Sequence, residues 1–156
     1  MSEVGASPSL MAITVLIADD HDILRESLRQ MLDSHEDLRV VAEAGDGAEA
    51  VRLAELHRPD VAVLDIGMKG MNGLEAAARI SSLCPQTAIL MLTVYSYARY
   101  VTRAIKAGAR GYFVKESLDG DELVNAIRTL RNGGCCFSRE IAESAAAAIR
   151  RAGDSA

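Results

Sequence analysis

Five times along the chain a short apolar run is followed by a segment whose apolar residues recur at helical spacing. The runs are Ile13-Thr14-Val15-Leu16-Ile17-Ala18, Val40-Val41-Ala42, Val61-Ala62-Val63-Leu64, Ala88-Ile89-Leu90-Met91-Leu92 and Gly111-Tyr112-Phe113-Val114. Strands of a parallel sheet, covered on both faces, read as continuous apolar runs rather than as alternation. Between the first two, residues 21–34 set Leu24, Leu28, Met31 and Leu32 on one helical face. Asp46-Gly47 leads into a second helix at 48–57, with Ala50, Val51, Ala54 and Leu56 on or near its inner face and Pro59 as its stop. A glycine-rich loop, Gly67 to Gly73, leads into a third helix over 74–83, ended by Pro85. A fourth spans 97–107 and closes at Gly108; a fifth, over 120–131, turns Leu123, Val124, Ile127 and Leu130 inward and closes at Gly133-Gly134.

Strand–helix alternation with short connections predicts right-handed crossovers and a doubly wound parallel (βα)5 sheet. The flavodoxin-like strand order 2-1-3-4-5 is the common solution, with its switch point between strands 1 and 3. After residue 134 the pattern changes. Ile141, Ala142, Ala145, Ala146 and Ile149 recur at helical spacing, which predicts a short sixth helix in a linker over 133–156. It reads either as a plain linker or as a dimer-contact or coupling helix. Residues 1–11, rich in Gly, Ser and Pro, read as a flexible leader.

The strand ends carry the chemistry. Strand 1 ends in Asp19-Asp20, strand 3 in Asp65, strand 4 in Thr93 and strand 5 in Lys115. Open α/β sheets bind ligands beyond the carboxyl ends of their strands, so these groups share one rim. Three carboxylates suit a hard divalent cation such as Mg2+, or Mn2+ in its place. A hydroxyl and an ammonium suit phosphoryl oxygens. The set is arranged to place a phosphoryl group on Asp65.

Composition narrows the classes. Hydrophobic residues make up 49% and charged residues 25% of 156 residues, ordinary for one globular domain. The net charge of −5 disfavours DNA binding by the chain as a whole. Residues 1–78 hold 6 basic and 15 acidic residues, and residues 79–156 hold 11 and 7, an asymmetry read first as solvated surface. Arg99, Arg103, Lys106 and Arg110 fall in the basic half, also read as solvated helix surface. Cys84, Cys135 and Cys136 form neither a disulfide framework nor a zinc pattern, which fits a reducing cytoplasm. No apolar stretch reaches the roughly 18 residues of a membrane span, and residues 1–11 lack the features of a signal peptide.

Four segments together carry a resemblance: VLIADDHDILR from Val15, VVAEAGDGAEA from Val40, VAVLDIGMKGMNG from Val61 and LTVYSYARYVTRAIKAGARGYFVKES from Leu92. In these the chain resembles the receiver domain of two-component response regulators, of the NarL/FixJ (LuxR-type) kind, over residues 12–132. The resemblance implies that Asp65 is the phosphoacceptor and that Asp20 ligates the metal directly. It implies that Asp19 acts largely through metal-bound water and that Gly67 lends its backbone carbonyl. Thr93 becomes the switch hydroxyl, Lys115 the phosphoryl-pairing lysine and Tyr112 the aromatic whose ring turns inward on activation. A sensor histidine kinase is the implied donor, the face of helix 4, strand 5 and helix 5 the implied output, and a homodimer a possible form of it. DNA would be reached only through a C-terminal domain absent from this chain. The expectation is therefore a fragment of a transcription regulator or a stand-alone receiver, a signalling protein rather than an enzyme.

Departures are visible. Lys69 stands where the family usually has Pro, and Val94 where a small residue is usual. Ser117 replaces the Pro that in relatives follows a cis bond. Gly67 and Tyr95 occupy positions where the family tunes autodephosphorylation, so an altered phosphoryl lifetime is expected. Rival readings are a degenerate receiver acting as an interaction module, a haloacid-dehalogenase-type phosphohydrolase and a nucleotide-binding Rossmann module. The phosphohydrolase would want Asp where Gly67 stands and its acid pair last. The Rossmann module would want a glycine fingerprint where Asp19-Asp20 stand.

Overall fold

The computed structural model describes residues 12–155. In order these are β1 (Ile13–Ala18), α1 (Asp22–Asp33), β2 (Leu38–Ala44), α2 (Gly47–His57), β3 (Val61–Leu64), α3 (Gly73–Leu83) and β4 (Ala88–Thr93). Then follow α4 (Ala98–Lys106), β5 (Ala109–Val114), α5 (Gly120–Arg131), β6 (Cys136–Phe137) and α6 (Ala142–Ser155). The leader expected over 1–11 lies outside the described residues.

The sheet is parallel throughout, in the order β2-β1-β3-β4-β5-β6. The first five strands keep the expected flavodoxin-like order. The sixth is an addition: Gly111 and Tyr112 of β5 pair with Cys136 and Phe137. Two residues between a glycine pair and a polar turn carry no strand signal of their own, so only the tertiary partner makes this strand.

The pleat sorts side chains onto two faces. Val15, Ile17, Val61, Val63, Leu90, Leu92 and Phe113 pack under α1 and α5, against Leu28, Leu32, Leu123 and Ile127. Leu16, Ala18, Leu64, Met91, Tyr112 and Val114 form the other cluster, with Ala50, Ala54, Ile80, Val101 and Ala104 of α2, α3 and α4. The last helix, 14 residues rather than a short one, packs on α4 and brings Ala145, with Ile141 just before it, into that second cluster.

One inner-face assignment is corrected, and the periodicity of the last helix is shifted. Ala50 and Ala54 of α2 are buried as expected, but Leu56, two residues on and turned away from them, is 66% exposed. Ile149 is 44% exposed and Ala148 takes the buried place, one residue earlier on the helix.

Local chemistry fixes the helix starts near the acid rim. Asp46 caps α2 by accepting from Glu49 N at 2.8 Å, and Asn72 caps α3 by accepting from Glu75 N at 3.0 Å. The first residues of both helices sit hard against backbone. A Cβ on Gly73 would lie 2.0 Å from the Asp65 carbonyl oxygen, and one on Gly47 2.1 Å from the Met71 carbonyl oxygen. Among the described residues no helix is long and apolar enough to cross a membrane, and no peptide bond is cis.

Candidate functional site

Asp19 and Asp20 follow β1, and Asp65 follows β3, its neighbour in the sheet. Asp19 and Asp65 are almost wholly buried, at 2% and 6% exposure. Lys115 follows β5 and reaches back across the rim, with Nζ 2.7 Å from Asp19 Oδ2 and 3.1 Å from Asp65 Oδ2. The sheet therefore brings Asp19, Asp20, Asp65 and Lys115 to one place. Burial pulls the Lys115 ammonium towards losing its proton, but the hydrogen bond to Asp19 and the charge of Asp65 outweigh it and hold the pKa above the ordinary lysine value.

The Lys115 ammonium reaches two of the three acids, Asp19 and Asp65. Asp20 Oδ1 is buried and makes no hydrogen bond, although His21 Nδ1 stands 3.3 Å away. Asp19, Asp20, His21 and Asp65 each offer a ligand atom, all within 4.8 Å of one another. A buried, unpartnered carboxylate oxygen in an oxygen-rich set fits a hard divalent cation.

Thr93, fully buried at the end of β4, accepts from Tyr95 N at 3.3 Å through Oγ1. Its own hydroxyl hydrogen is left to donate elsewhere. Tyr112 is also fully buried, and its hydroxyl donates to the Tyr95 carbonyl. With β6 beside it, β5 is no longer an edge strand, and Tyr112 lies deeper than a tyrosine on an edge strand. Burial first, then the neighbouring Tyr100 and Asp65, push the Tyr112 phenol well above its ordinary pKa. Gly67 N donates to Asp65 Oδ1 at 3.3 Å, and the Tyr95 ring lies against Gly67, 3.4 Å from where a Cβ would stand.

Two participants, His21 and Arg25, escaped the sequence reading, and so did the contacts of Tyr95. His21 is largely exposed, yet its backbone N and Nδ1 both reach Asp19 Oδ1, at 2.9 and 3.2 Å. Arg25 donates to the Asp19 carbonyl and pairs with Asp22 and Glu43, which ties α1 and β2 to the acid pair. Tyr95 joins both Thr93 and Tyr112. Only the arginine's register on α1, one turn past the acid pair, was a usable signal. Val94 is 53% exposed and stands with Ile23, Leu24 and Lys115 around a shallow apolar cleft, so it forms a rim of the site rather than a plug.

The match to the response regulator receiver domain family runs over residues 15–128. The chain belongs to that family. It is similar to the oxygen regulatory protein NreC of Staphylococcus epidermidis, at 42% identity over 120 residues, which are 76% of this chain and 55% of that protein. It is 34% identical to the transcriptional regulatory protein DegU of Brevibacillus brevis over 139 residues, 89% of this chain and 58% of that protein. The receiver thus spans little more than half the length of these relatives. Among solved structures, a LuxR-family two-component response regulator from Aurantimonas sp. SI85-9A1 superposes with a TM-score of 0.81 at 35% identity, covering 90% of this chain and 99% of that one. The receiver domain is a two-component signalling module, and its acidic pocket is of the kind that binds Mg2+ in this family.

Proposed function

We propose that this receiver takes a phosphoryl group onto Asp65 from the phosphohistidine of a sensor kinase, and that the modification controls a transcriptional output. The observation that carries the reading is the clustered acid trio, in which Asp19 and Asp65 share the Lys115 ammonium and Asp20 Oδ1 makes no hydrogen bond. Asp20, Asp65 and the Gly67 carbonyl are the residues to hold Mg2+ or Mn2+, with Asp19 acting through bound water. The ion supplies positive charge against the phosphoryl oxygens.

The remaining work falls to the chain. An Asp65 carboxylate oxygen attacks phosphorus in line, the bond from phosphorus to the donor nitrogen breaks, and its electron pair leaves with the imidazole. Gly67 N holds the other Asp65 oxygen in place. Lys115, already seated between Asp19 and Asp65, turns to a phosphoryl oxygen, and the Thr93 hydroxyl donates to another. Tyr95, lying on Gly67, limits the approach of water and so sets the lifetime of the acyl phosphate. The receiver occupies residues 12–132, works in the cytoplasm and passes its state to a second copy or to a DNA-binding segment like those expected of full-length regulators.

Intact mass after incubation with Mg2+ and a small acyl phosphate tests this. A gain of one phosphoryl group is expected, absent without the ion and absent in Asp65→Asn. No gain from either a small donor or a kinase would favour an interaction module that no longer accepts phosphate.

A further inference from the structure

The face formed by α4 and β5 is already occupied, and the occupant is the chain's own C-terminus. Ile141, Ala145 and Ala148 fall at i, i+4 and i+7 and are 1%, 1% and 3% exposed. Ile141 and Ala145 share one buried cluster with Val101 and Ala104 of α4 and Tyr112 of β5. Further along α6, Arg151 Nη2 donates to Thr102 Oγ1 of α4 at 3.1 Å. At the other end of the segment, Phe137 pairs with Tyr112, and Ser138 N donates to the Tyr112 carbonyl at 3.0 Å. The segment therefore grips Tyr112 by its backbone and closes the layer around its ring.

From Tyr112 a chain of contacts leads to the acid rim. Its hydroxyl holds the Tyr95 carbonyl, Tyr95 N sits on Thr93 Oγ1, and the Tyr95 ring rests on Gly67. With that nitrogen on its lone pair, the Thr93 hydroxyl hydrogen remains available for an oxygen anion at Asp65. The arrangement that fixes Thr93 for this task is thus the one found with α6 docked.

We propose that α6 is a clamp on the acid site: docked on α4, it holds Tyr112 inward and through Tyr95 presets Thr93, so α6 docking and phosphoryl occupancy of Asp65 favour each other. The clamp rests on the Asp65 reading above for its ligand, not for its contacts. By linkage the effect runs both ways with one magnitude. Occupancy tightens α6, and loosening α6 weakens occupancy.

The test is hydrogen exchange by mass spectrometry on the full chain, with Mg2+ and beryllofluoride as the probe and bound fluoride scored separately by 19F NMR. In the wild type the probe should slow exchange in α6 about fivefold, the lower end of ordinary coupling between sites. Ala145→Arg, which places a cation in the α4–α6 seam, should speed exchange at 94–97 and weaken beryllofluoride binding by a similar factor. Tyr112→Phe keeps the ring and removes only the bond to Tyr95, so α6 should stay protected while its response to the probe disappears. Bound fluoride with α6 exchange unchanged or faster overturns the clamp and leaves the Asp65 reading standing. No bound fluoride in the wild type sinks the Asp65 reading instead. The clamp is then judged by residues 94–97 alone, and unchanged exchange there in Ala145→Arg overturns it.

Discussion

Two aspartates flank β3, one strand length apart, and their surroundings differ. Asp60, before the strand, is fastened on every side. Its Oδ2 accepts from Thr14 N at 2.9 Å and Thr14 Oγ1 at 3.2 Å, its own backbone N donates to Thr14, and Arg131 Nε lies 3.8 Å from Oδ1. Asp65, after the strand, shares a single ammonium with Asp19, while Asp20 keeps a buried oxygen without a partner. The same residue type serves as a rivet at one end and as part of an unfilled demand for positive charge at the other. Like charges this close repel, so the acid rim costs the fold stability until a cation beyond Lys115 joins it, whereas the opposite rim is complete.

The sharpest way to break this contrast is to neutralise one acid on each rim. Asp20→Asn should weaken Mg2+ binding by more than about tenfold, the loss that even supporting groups around metal sites produce, while Asp60→Asn leaves the isotherm unchanged. Equal losses by titration calorimetry would end the distinction. The converse appears in stability. Urea unfolding of Asp60→Asn should show a cost of about 1–3 kcal/mol, since the Thr14 donors lose a charged acceptor. Without added ion, Asp20→Asn should cost nothing or stabilise the fold.

Alkaline pH sharpens the picture from the cation's side. The Lys115 pKa is held above its ordinary value, so its contribution is fully present below about pH 10.4 and is lost as the pH rises through the folded-state value. The stability difference between wild type and Lys115→Met should therefore shrink above that point and stay constant from there down through neutral pH. The smallest effect belongs to an exposed pair. Arg128 Nε and Nη2 grip Asp37 at 2.7 and 3.0 Å, and that hydrogen bonding lowers the Asp37 pKa. Asp37→Asn should cost about 0.2–1 kcal/mol at neutral pH. The loss should be present above the ordinary carboxylate pKa of about 3.9 and fade as the pH falls through the lower folded-state value.

The acids, Thr93 and Lys115 were legible because each ends an apolar run, and a parallel sheet delivers all such ends to one side. Helix faces were legible where large residues mark them, as with Leu123, Val124, Ile127 and Leu130. They were less legible where small residues line the face: Leu56 is exposed beside buried Ala50 and Ala54, and the buried Ala148 lay outside the spacing read for the last helix. The contacts of His21 and Tyr95 were illegible because they depend on how loops return to the rim, which no periodicity encodes. The sixth strand was illegible because its hydrogen bonds belong to β5.

The close approach at Gly73 and Gly47 has a consequence for anyone randomising this chain. Three stretches of main chain are stacked there without room for a methyl group, at 2.0 Å and 2.1 Å from a virtual Cβ. A library diversified at both positions would return glycine almost alone, although neither residue takes part in any reaction. A survivor carrying alanine at position 73 would have had to displace the Asp65 peptide itself, and would report that shift in the chemical shifts of the acid rim.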